Sequence, residues 1–110
     1  MREKQKEKKT ETFHRLAAEF VRIEATPASL ITITRVELNP SGKDAKIYFT
    51  TLPESEQETA EKFLTRKIID FRDYVRDHSR IGILPHFSFK IDFGERNRQR
   101  LDEISLDLNQ

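Results

Sequence analysis

The sequence has no cysteine, no tryptophan and only three glycines among its 110 residues. Without cysteine the chain can form neither a disulfide nor a thiolate metal site, which fits the reducing cytoplasm. The glycines are too far apart to form a phosphate-cradling loop or the Gly-x-x-Gly loop of many RNA-binding KH domains. No apolar run approaches the roughly 20 residues of a membrane span. These absences favour a cytoplasmic protein without a membrane segment or a nucleotide loop.

Charge is abundant but balanced, because 20 basic and 19 acidic residues leave a net charge of +1. The distribution is more informative than the total. The start, "MREKQKEKK", is basic, whereas the end carries Asp102, Glu103 and Asp107. Residues 1–10 have no apolar stripe and are predicted to be a disordered basic arm. Such an arm is either a phosphate-binding segment or a solubilising terminus.

The first half of the chain predicts a helix followed by a β-hairpin. Two runs rich in β-branched residues, about 30–38 and 44–51, flank a turn containing Pro40 and Gly42. The preceding helix, from about residue 11, is indicated by apolar residues spaced three and four apart: Phe13, Leu16, Ala17, Phe20 and Ile23.

A long helix and a third strand are predicted next. Ser55 and Glu58 have the spacing of a capping box, and the apolar stripe continues to about His78 without a Gly or Pro to mark a bend. Pro85 opens a strand with alternating apolar residues. Residues 95–110 form a tail in which a short helix could form.

These elements predict one α+β domain over residues 11–94. Its three-stranded sheet would carry helices packed on one face, and its other face would be open to solvent. If the long helix is two helices, the order α-β-β-α-(α)-β is that of a type II KH domain.

The stretch "ITITRVELNPSGKDAKIYF" closely resembles the first hairpin of ribosome-binding factor A, a bacterial ribosome-maturation protein. "RIGILPHFSFKID" keeps the proline, the two phenylalanines and the aspartate of that family's third strand. The resemblance covers about Phe13 to Ile104. It departs at the helical kink, where the family usually has Ala-x-Gly and this chain has Lys67-Ile68-Ile69, so the chain resembles a divergent member.

The resemblance implies a KH-like fold and a non-catalytic assembly factor. Such a factor would bind 16S rRNA of the immature 30S subunit and assist its late processing. It would act as a monomer without a cofactor, and an assembly GTPase would release it. Two alternatives remain open: a protein–protein interaction module, and a generic KH-type RNA-binding domain outside ribosome assembly.

Candidate RNA-binding residues lie in three places. Cations along one side of the long helix could contact phosphates or could belong to a solvated face with weak ion pairs. Arg72 stands where the family has a helical arginine, and on the open sheet face Tyr48 could stack on a base or merely cover the sheet. The complete set is Lys62, Arg66, Arg76 and Arg80 on that side, Arg72 nearby, Arg96, Arg98 and Arg100 in the tail, and Lys46 with Tyr48 on the sheet.

No catalytic constellation is apparent in the sequence. His14, His78 and His86 fall on three different predicted elements, and no His-x-x-x-His pair exists. No serine has the glycine-flanked setting of a nucleophile elbow. We therefore expect neither an enzyme nor a metal site.

Overall fold

The computed structural model describes residues 3–24 and 30–94. Its three strands form one mixed sheet, in which the central second strand pairs antiparallel with the first and parallel with the third. This arrangement confirms the predicted α+β fold with a three-stranded sheet. The elements, in chain order, are α1 (Glu3–Glu24), β1 (Leu30–Leu38), β2 (Asp44–Leu52), α2 (Gln57–Arg66), α3 (Ile68–His78) and β3 (His86–Ile91).

The hairpin agrees closely with its prediction. Gly42 has a φ of 76°, a left-handed conformation that glycine adopts without steric cost. The side-chain oxygen of Asn39 accepts hydrogen bonds from the backbone N–H groups of Lys43 and Asp44, at 3.0 and 3.1 Å. These contacts fix the turn, and with it the register between β1 and β2.

The first helix starts earlier than the sequence predicts. The structure places Glu3–Thr10 in α1, where the absence of an apolar stripe predicts a disordered arm. Lys, Glu and Gln are good helix formers, so an established helix can extend through them without burying apolar surface. At the other end, Ile23 is not part of the buried stripe but is 64% exposed. The sequence predicts that this helix ends before Pro27, because proline disfavours helix at the residue before it; residues 25–29 lie outside the described residues.

The predicted long helix is two helices that meet at Lys67. The φ and ψ of Lys67 are −94° and 9°, and its N–H is shared between the carbonyls of Phe63 and Leu64, at 3.2 and 3.1 Å. An unbroken helix of about 24 residues would extend about 36 Å, whereas β1 and β2, with 9 residues each, extend about 30 Å. The break lets both halves pack against the sheet, with Leu64 on α2 and Phe71 on α3 both buried.

The predicted capping box is wrong. A single 3₁₀ turn, Glu54–Glu56, precedes α2, so that Glu56 becomes the N-cap and makes no side-chain capping bond. The N–H of Glu56 donates instead to the carbonyl of Pro53, at 3.1 Å. The helix therefore begins too late for the Ser55–Glu58 pair to cap it.

An aromatic cluster centred on Phe71 forms the middle of the core. The ring of Phe71 makes edge contacts with Phe20, Phe87 and Phe89, at centroid distances of 5.3, 5.0 and 5.4 Å. Phe13 adds a further edge contact to Phe87, at 5.0 Å. Such pairs stabilise the core beyond the area they bury. The cluster joins α1, α3 and β3 in one apolar layer.

The position of Phe71 predicts a large stability effect. Phe71→Ala should lower the free energy of unfolding by about 3–5 kcal/mol, because it removes a fully buried ring and leaves a cavity. Urea denaturation followed by circular dichroism measures the change. Ile83→Ala is the matched control: Ile83 is 91% exposed, and we expect a change within about 0.5 kcal/mol. A similar small loss for Phe71→Ala would contradict the central role of its ring.

Candidate nucleic-acid interface

Two exposed cations lie close together on α2 and have no acidic partner among the described residues. Lys62 and Arg66 lie one helical turn apart, on the side of α2 opposite the buried Ala60 and Leu64. Both side chains are exposed, and neither forms an ion pair with a described residue. Arg66 also lies in the last turn before the break at Lys67. This pair is available to contact phosphates.

The predicted single row of cations is wrong in its geometry. It assumed one helix, but α3 is a separate helix after Lys67 and ends at His78, so Arg80 lies in the following loop. Arg76 remains exposed on α3, where its Nη1 is 2.9 Å from Asp73 Oδ1. The break and the early helix end thus separate Arg76 and Arg80 from the pair on α2.

Arg72 has a structural partner. Its Nη1 donates to the carbonyl of Pro85 at 2.7 Å, and its Nη2 donates to that of Leu84 at 3.4 Å. Both carbonyls belong to the segment that leads into β3, so Arg72 ties α3 to the start of that strand. A guanidinium engaged in this way has less freedom to contact a phosphate than those of Arg66 and Arg80.

Lys67, at the break between α2 and α3, forms ion pairs with residues on α1 and α3. Lys67 Nζ lies 3.8 Å from both Glu24 Oε2 at the end of α1 and Asp70 Oδ2 on α3. Many KH domains bring RNA backbone against glycines at the corresponding junction. In this chain Lys67, Ile68 and Ile69 occupy the junction, and the adjacent cation is Arg66.

The open face of the sheet carries a network centred on Arg35, which the sequence analysis missed. The guanidinium of Arg35 lies 3.8 Å from the ring centroid of Tyr48, within the range of a cation–π contact. Tyr48 Oη also donates to Glu37 Oε2 at 3.2 Å, and Glu37 forms an ion pair with Arg35. Lys46 is exposed on the same face. Arg35 therefore covers one face of the Tyr48 ring, for which base stacking and plain coverage of the sheet were the two alternatives.

A buried aspartate anchors this network. Asp92 is 4% exposed, and its Oδ2 accepts a hydrogen bond from Thr34 Oγ1 at 2.6 Å and lies 3.5 Å from Arg35 Nε. A β-bulge between Ile33 and Arg35 interrupts the register with β2 at this point. No sequence signal marks the bulge, so only the folded chain reveals that Arg35 and Asp92 meet.

Arg35 and Tyr48 both keep their usual protonation states at neutral pH. Desolvation is the largest effect on the pKa of Arg35 and lowers it, but the hydrogen bond to Glu37 and the charges of Glu37 and Asp92 outweigh it and raise the pKa overall. Desolvation raises the pKa of Tyr48, and the hydrogen bond to Glu37 adds to the effect. Arg35 stays cationic and Tyr48 stays neutral.

The remaining predicted residues give no further cluster. Arg96, Arg98 and Arg100 lie outside the described residues. The histidines are separated as predicted: His14 lies on α1, His86 opens β3, and His78 stacks on Tyr74 at a centroid distance of 3.9 Å. Within residues 3–24 and 30–94, no group of side chains could hold a metal ion, and no helix is long and apolar enough to cross a membrane.

A three-stranded mixed sheet with helices on one face, and a helical break at one end of it, defines a KH-like α+β domain, a fold that commonly binds nucleic acid. The family model for ribosome-binding factor A matches residues 5–105, and the chain belongs to that family. A search of curated proteins gives no match.

Two solved structures share this fold. The crystal structure of ribosome-binding factor A from Thermus thermophilus superimposes with a TM-score of 0.71 at 23% identity, over 78% of this chain and 93% of that one. The solution structure of a Thermotoga maritima protein, described as a putative ribosome-binding factor A, gives a TM-score of 0.64 at 26% identity, over 78% and 85% of the two chains. The predicted family and KH-like fold are confirmed. The name of the family describes a ribosome-binding factor.

The contacts of Arg72 predict a stability effect. Arg72→Met should lower the free energy of unfolding by about 1–3 kcal/mol, because it leaves two partly buried carbonyls without their charged donor. Thermal unfolding measures the change. Arg76→Met removes the same charge from an exposed ion pair, which should alter stability by about 1 kcal/mol or less. Equal melting temperatures for the two variants would show that Arg72 does not hold α3 to the segment before β3.

Proposed function

We propose that this protein binds 16S rRNA of the immature small ribosomal subunit and assists its late maturation without catalysing a reaction. Membership of the ribosome-binding factor A family supports a ribosomal partner. The observation that carries the RNA contact is the exposed pair of Lys62 and Arg66, with no acidic partner among the described residues.

The contact would rest on phosphates more than on base edges. The three glycines of the chain do not form the Gly-x-x-Gly loop that lets RNA backbone approach a KH helix. Lysine and arginine side chains on an exposed helix instead attract phosphates without reading sequence. Arg80 and the tail arginines Arg96, Arg98 and Arg100 are further candidates, and Arg76 could exchange its partner Asp73 for a phosphate. Affinity should therefore fall steeply with salt.

Binding could promote maturation by selecting one rRNA arrangement. A protein that binds one of two conformations more tightly shifts their populations by its difference in affinity, and no catalytic residue is required. The factor would have to dissociate once the mature arrangement forms. We propose that it acts as a cytoplasmic monomer and that an assembly GTPase releases it.

A protein-interaction module is the second candidate. The observation that favours it is the contact of Tyr48 with charged neighbours: Arg35 covers one face of its ring and Glu37 binds its hydroxyl, which leaves less of the ring for a base to stack on. Contact with protein through this face of the sheet should depend less on salt than phosphate contact does. The salt dependence of binding therefore separates the two candidates.

The test is co-sedimentation with immature and mature small subunits over a salt series. The unmodified protein should prefer immature particles. In the double variant Lys62→Gln/Arg66→Gln, affinity should fall on the order of tenfold, and the slope of log affinity against log salt should become shallower by roughly 1.5, since two phosphate contacts are lost. Circular dichroism verifies that the double variant remains folded.

A second double variant, Arg15→Gln/Lys43→Gln, controls for net charge. It removes the same charge from exposed positions on α1 and in the hairpin turn, and its affinity should change less than about twofold. Equal losses in the two double variants would remove the α2 pair from the proposal. Binding to unrelated RNA as tightly as to particles would favour a generic RNA-binding domain, and no binding to either particle would favour the protein-interaction module.

A further inference from the structure

The domain exposes apolar side chains mainly at one end. Ile83 is an exposed large hydrophobic residue near the start of β3, far from the others. The rest have exposed fractions between 52% and 70%, and we call them the apolar end: Ile23, Leu30, Leu52, Ile69 and Phe93. Single exposed apolar residues are common on proteins, whereas a group of them indicates a contact surface.

The strand register brings three of these residues to one end of the sheet. Leu30, the first residue of β1, pairs directly with Leu52, the last residue of β2. Phe93 follows β3 at the same end, since β3 is parallel to β2 and the N–H of Asp92 donates to the carbonyl of Phe49 at 2.8 Å. The ends of all three strands therefore contribute to the surface.

The helices bring the other two residues to the same end. Lys67 Nζ lies 3.8 Å from Glu24 Oε2, which places the α2–α3 break beside the end of α1. Ile69 lies just past that break, and Ile23 just before Glu24. Because β1 begins only a short segment after α1, this corner lies at the same end of the domain as Leu30 and Leu52.

Gly94, which precedes residues 95–110, is held at this same end of the domain. The N–H of Gly94 donates to Asp92 Oδ1 at 3.1 Å, and Asp92 Oδ2 is in turn bound to Thr34 and close to Arg35. Residues 95–110 follow, enough to reach roughly 50 Å at about 3.3 Å per residue. The segment can therefore reach every residue of the apolar end.

The composition of residues 101–108 complements the apolar end. After the arginines at positions 96, 98 and 100, this part of the tail combines apolar and acidic residues: Leu101, Ile104, Leu106 and Leu108 with Asp102, Glu103 and Asp107. The exposed cations Arg22 and Arg66 lie next to the apolar end, and neither forms an ion pair with a described residue. Apolar side chains could cover the exposed ones while the carboxylates meet the arginines.

We propose that residues 95–110 dock on the apolar end of their own chain. Attachment at Gly94 makes the contact intramolecular, which gives the segment a high effective concentration at the surface beside it. Carboxylates placed beside Arg66 would also oppose the approach of phosphates to this side of α2. The docking itself does not depend on the RNA-binding proposal.

A tryptophan probe tests the contact in the full-length protein. The chain has no tryptophan, so Leu108→Trp gives one indole whose acrylamide quenching reports its exposure. The indole should be quenched less than in the denatured chain, at every protein concentration. Adding Leu52→Lys should weaken docking on the order of tenfold and expose the indole, whereas adding Ile83→Lys at the opposite end should leave it protected.

Ile104→Trp provides a second probe in case a ring at position 108 does not fit the surface, and circular dichroism checks that each variant folds. Quenching equal to that of the denatured chain for both probes would overturn the proposal. Protection that persists with Leu52→Lys would also overturn it, since the segment would then dock elsewhere. Protection that increases with protein concentration would replace it with docking on a second copy.

Discussion

The sheet has one apolar face, and Phe71 is the side chain that joins the helical layer to it. Its ring contacts Phe20 on α1 and both Phe87 and Phe89 on β3. Leu64 on α2 and Phe71 on α3 are both buried, so the segments on either side of the break at Lys67 both pack into the core. The break makes α2 and α3 separate helices, which sets Arg66 on α2 apart from Arg80 in the loop after α3.

The break replaces a predicted row of cations with separate groups. Lys62 and Arg66 remain together on α2, Arg76 pairs with Asp73 on α3, and Arg72 is turned to the carbonyls before β3. A cation that donates hydrogen bonds to the protein's own carbonyls stabilises the fold, whereas a cation without an acidic partner is free to meet a phosphate. The same residue type is therefore proposed to have different roles within a few turns of helix.

The two ends of the sheet carry different kinds of side chain. The hairpin turn is closed by polar contacts of Asn39 with Lys43 and Asp44. The opposite end combines exposed apolar side chains, the helical break and the exit of the chain at Gly94. The proposed RNA contact at Arg66 and the proposed docking of residues 95–110 both lie at this second end, so occupancy of one site would influence the other.

Elements whose signals are local could be predicted from the sequence alone. The alternation in β1 and β2, the turn glycine and the stripe of α1 depend on neighbouring residues, and the family could be inferred from the same stretches. Three features could be seen only in the folded chain: the helix breaks at Lys67, Arg35 lies on Tyr48, and Arg72 binds the carbonyls of Leu84 and Pro85. Each of these features depends on contacts between residues distant in sequence, or on a bulge or break that no local sequence signal marks. Such features are selected by the close packing of the whole core.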